Sequence, residues 1–284
     1  MNVRSVLITG CSSGIGWATA VEMAARNWRI FATARKPEDI QRIEAEGWYA
    51  VALDVSSSDS IEQAVAMVLE ATDGALDAVV NNAGFGMPGA IEDLSREAMQ
   101  RQFEVNLFGA LELTNRLLPA LRKRPHGRVV YISSLVGRMS LPFMGIYSAS
   151  KFALEAVADA QRIELSMTPV RVVLIEPGPI GTRFSSTCAM EGESRLEVNR
   201  SRFKGAYERY FKQRRVGGMS EDRFRLPPEA VAKKVAHALI SDRPKVRYLV
   251  TLPTYIADFL VRFVPVYWRD GVMQRQVKKR FGSV

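Results

Sequence analysis

The chain has 284 residues of which 47% are hydrophobic, enough for a sizeable core, so disorder is excluded as a class. Its formal charge is +9, but from Arg243 onward nine Lys and Arg stand against only Asp258 and Asp270, so the excess sits in the tail; no nucleic-acid recognition motif accompanies it. Two cysteines (Cys11 and Cys188) argue against a disulfide framework, and two isolated histidines (His126 and His237) argue against a metal site.

Met1 to Thr9 is too short and too interrupted by polar residues for a signal peptide, and no stretch has the roughly 18 to 20 apolar residues of a membrane span. The expectation is a soluble cytoplasmic protein. Val6-Leu7-Ile8 is an unbroken apolar run, the pattern of a strand covered on both faces. Similar runs follow at 29–33, 49–53, 78–80, 129–132, 170–175 and 247–250, separated by helical patterns at about 15–26, 59–72, 95–123, 148–166 and 228–240. This alternation predicts an α/β fold, a Rossmann-like doubly wound parallel sheet flanked by helices, with residues 1–284 in one domain.

The first strand runs into Thr9-Gly10-Cys11-Ser12-Ser13-Gly14-Ile15-Gly16 just before a helix. Glycines there let backbone amides approach a pyrophosphate, and the helix N-terminus favours negative charge. The spacing is G-x-x-x-G-x-G, so a tight structural turn remains open as the alternative. Cys11 in this loop reads as a small filler. After the second strand come Ala34-Arg35-Lys36, where an NAD site would place an acid on the ribose. Arg35 suits a 2′-phosphate, so NADP (NADPH) is expected over NAD; a solvated basic turn is the alternative. Asp54 and Val55 close the third strand, where the carboxylate can accept from an adenine amino group. Asn81-Asn82-Ala83-Gly84 closes the fourth, in the ligand crevice of such sheets.

Tyr147-Ser148-Ala149-Ser150-Lys151 opens a helical pattern, placing Tyr147 and Lys151 on one face at i and i+4. Ser134 closes the strand pattern before it. A phenol titrates near ~10, so a neighbouring cation is needed to favour phenolate, while the serine hydroxyl holds the substrate oxygen. Ser148 to Lys151 also spells S-x-x-K, but the Ser-Asp-Asn and Lys-Thr-Gly partners of acylating serine enzymes are absent from the sequence.

Taken together, Thr9 to Gly16, Asp54, Asn81-Asn82-Ala83-Gly84, Asn106, Ser134, Tyr147, Lys151, Pro177-Gly178 and Thr182 closely resemble the short-chain dehydrogenase/reductase family over residues 4 to 185. Within it the glycine loop and the stretches around Leu141 and Leu154 look like the 17β-hydroxysteroid and retinol dehydrogenase branch. The resemblance implies an NADP(H)-dependent oxidoreductase moving hydride between nicotinamide and a lipophilic ketone, aldehyde or secondary alcohol. Tyr147 would be the general acid/base, Lys151 would lower its pKa and bind the nicotinamide ribose, and Ser134 would orient the carbonyl. Asn106 would hold a water in a proton relay, and Pro177, Gly178, Ile180 and Thr182 would seat the nicotinamide. Gly10, Ser12, Ser13, Gly14, Ile15, Gly16, Arg35, Asp54, Val55, Asn82, Ala83 and Gly84 would hold the rest of the cofactor. Ser12 and Ser13 stand where some members carry a second basic residue.

Residues 184–225 fall where the family carries a substrate lid, and residues 253–284 form an apolar and basic extension. That extension fits a peripheral membrane contact, a cap on the pocket or a subunit contact. The helices at 95–123 and 148–166 imply a homodimer or homotetramer by resemblance. A non-catalytic NADP-binding redox sensor is the alternative function.

Overall fold

β1 (Ser5–Ile8) is buried along its whole length and is an interior strand of a seven-stranded parallel sheet in the computed structural model, which describes residues 3–215 and 223–281. It is followed by α1 (Gly14–Ala24), β2 (Arg29–Ala34), α2 (Pro37–Ala45), β3 (Tyr49–Ala52), α3 (Ser58–Ala71), β4 (Ala78–Asn81), α4 (Arg96–Phe103), α5 (Gly109–Arg122) and β5 (Arg128–Ile132). The second half adds α6 (Gly145–Glu164), β6 (Arg171–Glu176), α7 (Phe184–Arg195), α8 (Lys204–Arg215), α9 (Pro228–Ile240), β7 (Arg247–Leu249), α10 (Leu252–Phe263) and α11 (Val266–Phe281).

The strand order is β3-β2-β1-β4-β5-β6-β7, so the winding direction reverses between β1 and β4. Such a reversal opens a crevice at the carboxyl ends of the strands. Alternate side chains of each strand face opposite ways. Leu7, Val79 and Val129 therefore join one core with residues of α3, α5 and α6. Ile8, Val80 and Val130 join the other with Met23 of α1 and Val231 and Val235 of α9. This is the doubly wound α/β architecture that the alternating apolar runs predict.

Three features differ from the sequence reading. α2 has no counterpart in it, because Ile43 is its only buried residue and the apolar period is too sparse to register; its start signals are Pro37 with Glu38 and Asp39 in the first turn. The helix expected over 95–123 is interrupted by a π-helical turn at Glu104–Phe108, which carries Asn106. The extension is two helices, α10 and α11. In the expected lid, α7 and α8 are helical, whereas residues 216–222 lie outside the described residues, as do Met1, Asn2 and 282–284. Among the described residues no helix is long and apolar enough to cross a membrane.

Candidate active site

The loop from β1 to α1 is held open by its backbone. Gly10 has φ +71°, a left-handed conformation that side chains resist, and a Cβ on Gly16 would stand 2.3 Å from the Gly10 carbonyl oxygen. Thr9 and Asn82 fix the loop to the end of β4. The Thr9 hydroxyl accepts from the amides of Asn82 (2.9 Å) and Ala83 (2.8 Å), while Asn82 Nδ2 donates to Thr9 O at 2.8 Å and Gly10 O at 3.1 Å. Ser13, at the N-cap of α1, makes no side-chain cap, and the first turn carries no acidic residue. Uncapped amides at a helix N-terminus fit a diphosphate. Cys11 is fully buried with its thiol pushed up to about 12 by burial, against the Thr33 backbone hydrogen bond that lowers it, which bears out the filler reading.

From this loop a cleft of about 680 Å³ runs across the carboxyl ends of the strands. Its walls include Gly10, Ser12, Ser13, Gly14, Ile15, Arg35, Asp54, Val55, Asn82, Ala83 and Gly84 at one end, and Ser134, Tyr147, Lys151, Pro177, Gly178, Ile180 and Thr182 at the other. Asp54 is worked upward by partial burial, but the Ser56 hydroxyl and amide, with Arg35 and Arg101 nearby, hold it below the usual carboxylate range. Gly16 and Asn106 do not line the cleft. Gly16 packs on the loop itself. Asn106 sits behind Gly84, accepting from the Phe85 amide at 3.1 Å and donating to Phe85 O at 2.9 Å and Ser150 Oγ at 3.2 Å. The π-helical turn displaces this residue out of the ordinary helical register, which is how it reaches Phe85 and α6 together.

Tyr147 lies in the first turn of α6 and is buried. The resemblance implies that Lys151 lowers its pKa in the working site. Burial pushes the phenol above its ordinary value, the Ser134 hydroxyl hydrogen bond works against that, and Cys188 adds to the rise. Lys151 donates to Ile132 O at 2.8 Å and is driven down to about 8 by burial, with Glu155 opposing the fall. Ser134 is extended (φ −165°) two residues beyond β5, and its Oγ also accepts from the Val136 amide at 3.3 Å. Phe184, the first residue of α7, closes over the phenol with ring centres 5.5 Å apart.

Behind the lysine the same helix face continues through Glu155 and Asp159, each one turn further on. Arg247 of β7 pairs with Glu155, with Asp159 Oδ2 at 2.5 Å and with Glu176 Oε1 at 3.2 Å. Arg138 reaches Glu176 at 3.7 Å and Asp258 of α10 at 2.7 Å. Glu155 is pushed up to about 7 by burial and by the neighbouring Glu176, against Ser133, Arg247 and Arg138. Glu155 Oε1 and Glu176 Oε2 are buried without a partner, as expected where one carboxyl keeps its proton. Between the usual 4.5 and about 7 the folded chain therefore holds a proton that the unfolded chain releases. Stability from this group falls as pH rises through that window and is flat outside it. Urea titrations of Glu155→Gln should show a flatter stability curve between those pH values than the parent; an unchanged slope would assign the proton elsewhere.

The sequence reading misses several cleft and loop residues. Arg42 of α2 pairs with the Ser12 carbonyl oxygen and lies over Trp17, 4.7 Å from the ring centre. Arg101, Phe85, Phe143, Met144 and Cys188 line the cleft. Phe184, which opens the expected lid, lines the cleft as well. Among the described residues no cluster of metal-ligating side chains occurs.

Residues 4–191 match the model of a family described as short chain dehydrogenase. The chain is similar to the uncharacterized oxidoreductase YbbO of Escherichia coli, 43% identical over 271 residues, covering 95% of this chain and 94% of that one. It is 32% identical over 285 residues to the NADPH-dependent 3-dehydrocapnine reductase of Ornithobacterium rhinotracheale, covering 98% of each chain. To human retinol dehydrogenase 8 it is 37% identical over 212 residues, 71% of this chain and 65% of that one.

Proposed function

The chain belongs to the short-chain dehydrogenase/reductase family and is an oxidoreductase acting on CH–OH groups with a nicotinamide cofactor; from that premise we propose that it is an NADPH-dependent reductase of lipophilic ketones or aldehydes, with Tyr147 as the proton donor. The observation that carries the reading is the meeting of Ser134, Tyr147 and Lys151 at the end of a cleft whose other end is the glycine loop and Arg35. That intact set also weighs against a sensor without catalysis.

The cofactor preference rests on cations. Arg35 directly follows β2, where an acid would serve NAD, and Arg42, which also pairs with Asp39 at 3.3 Å, holds the Ser12 carbonyl oxygen. Together they suit a 2′-phosphate, and the NADPH-dependent relative agrees with them. The substrate class rests on the cleft wall beyond Tyr147, where Leu141, Phe143, Met144 and Phe184 supply apolar surface. A relative that acts on retinol points the same way.

In the proposed reaction the bound nicotinamide supplies the hydride to the carbonyl carbon. Ser134 donates a hydrogen bond to the carbonyl oxygen and holds it beside the phenol. Tyr147, a phenol that is protonated at neutral pH, passes its proton to that oxygen as negative charge develops there. Lys151, held by Ile132 O, would present its ammonium to the nicotinamide ribose. Asn106 fixes the segment after Gly84 against α6 and so sets the floor of the site. Family members are typically oligomeric, and exposed Phe108 and Phe152 at α5 and α6 support a homodimer or homotetramer through those helices. The lid role of α7 and α8 is supported by Phe184 covering Tyr147.

Steady-state oxidation of NADPH against ketones and aldehydes graded in apolar size tests the proposal. Turnover that rises with apolar size supports it; silence across the panel despite tight NADPH binding would overturn it. Arg35→Asp should raise KM for NADPH by about tenfold or more, the loss of a charged hydrogen bond, and leave KM for NADH nearly unchanged. An unchanged NADPH KM would remove Arg35 from the 2′-phosphate site.

A further inference from the structure

α10 is an amphipathic helix facing the wrong way. On a domain surface the apolar stripe normally turns to the core and the polar side to water. Here the inward residues are Thr254, Ala257 and Asp258, and the outward ones are Leu252, Tyr255, Ile256, Phe259 and Phe263, spaced along one face. The orientation is fixed. Asp258 pairs inward with Arg138 at 2.7 Å, Tyr255 Oη donates to Leu249 O at 3.1 Å, and Thr251 and Thr254 share a buried hydrogen bond at 3.1 Å. The helix cannot roll its apolar face inward without breaking this partly buried ion pair.

The apolar surface continues past the turn at Pro265. Val266, Tyr267, Trp268 and Val272 of α11 are exposed, Tyr267 to 84%, Trp268 to 71% and Phe263 before them to 68%. The exposed rings of Phe259 and Phe263 lie against each other in a tilted pair, ring centres 5.0 Å apart. A contiguous patch of this kind on a soluble domain marks a docking surface.

Charge identifies what docks. Residues 252–284 hold six Lys and Arg against Asp258 and Asp270, and Asp258 is already committed to Arg138 and Arg262. Arg262, Arg275 and Lys278 are exposed on the same two helices. A second copy laid on this stripe would bring like charges together, which disfavours pairing. An anionic bilayer offers acyl chains to the aromatic and aliphatic side chains and phosphates to the cations.

We propose that the outward face of α10 and the start of α11 dock the protein on the surface of an anionic phospholipid membrane. The docked helices stand at the rim of the cleft: Met273 of α11 lines it, and α11 packs on α8. The inference stands on this surface and not on the substrate reading above, because its test measures binding and no turnover.

The experiment is co-sedimentation of the full chain with vesicles of phosphatidylcholine alone and of phosphatidylcholine mixed with phosphatidylglycerol. The compared variant is Phe259→Ser/Phe263→Ser/Trp268→Ser, all exposed and away from the cleft, with thermal melting as the check on folding. The expected result is sedimentation with the mixed vesicles, reduced by salt, and a partition coefficient lower by more than about tenfold in the triple variant. Sedimentation equal in variant and parent overturns the proposal, as does its absence with mixed vesicles. A concentration-dependent dimer that the triple variant loses, without vesicle binding, overturns it in favour of a second copy.

Discussion

Tyr147→Phe is expected to lower kcat by about three orders of magnitude and to leave NADPH affinity nearly unchanged. The change deletes one hydroxyl from a buried ring whose packing against Phe184 stays intact. General acid catalysis contributes about 10²- to 10⁴-fold, and in this site no other group stands at the same place to replace it. Lys151 is turned toward Ile132 O, and Ser134 is an aliphatic hydroxyl, a far weaker acid than a phenol. Cofactor affinity is set along the rest of the cleft, from the glycine loop to Arg35, which this variant leaves untouched. Single-turnover oxidation of pre-bound NADPH separates the two quantities. Retention of more than about a tenth of the parental rate would show that the proton comes from elsewhere, and the assignment of Tyr147 would fail.

The second large effect is structural. Arg247→Met should cost about 3–5 kcal/mol of folding stability, the usual range for removing one partner of a buried ion pair. Arg247 lies between Glu155, Asp159 and Glu176; Glu176 is fully buried, and each of these carboxylates belongs to an element that shapes the active site. Without the guanidinium, Glu155 and Glu176 face each other in low dielectric with only Arg138 nearby. Adding Glu155→Gln to Arg247→Met removes one of those charges and should restore part of the loss. Urea unfolding of the two variants measures both values. A single variant within about 1 kcal/mol of the parent, the range of a surface pair, would show that solvent reaches the cluster.

The two expected results draw on differently legible parts of the chain. Tyr147 and Lys151 could be read directly, because a helix face repeats every four residues and both side chains lie within one turn. The glycine loop, Arg35, Asp54, the Asn82 segment and Pro177-Gly178 were legible for a related reason. Each ends a strand, and in a parallel doubly wound sheet strand ends converge on one crevice whatever the loops between them do. Glu155 and Asp159 continue the face of Tyr147 and Lys151 by the same period. They carried no meaning in the sequence, because their partner Arg247 is 92 and 88 residues away and meets them only when β7 joins β6.

Sequence by itself therefore determined the fold class, the strand-end motifs and the identity of the chemical groups. Tertiary structure decided how those groups are tuned. It buried Tyr147 beneath Phe184, turned Lys151 onto a backbone carbonyl and brought Arg42 from an unforeseen helix to the glycine loop. It also decided that α10 shows its apolar face outward, since that choice belongs to Asp258 and its pairing with Arg138, 120 positions earlier. The division has one physical cause. Periodicity and backbone permissiveness are local properties that neighbouring residues fix, whereas burial and charge pairing depend on which distant segments the folded sheet brings into contact.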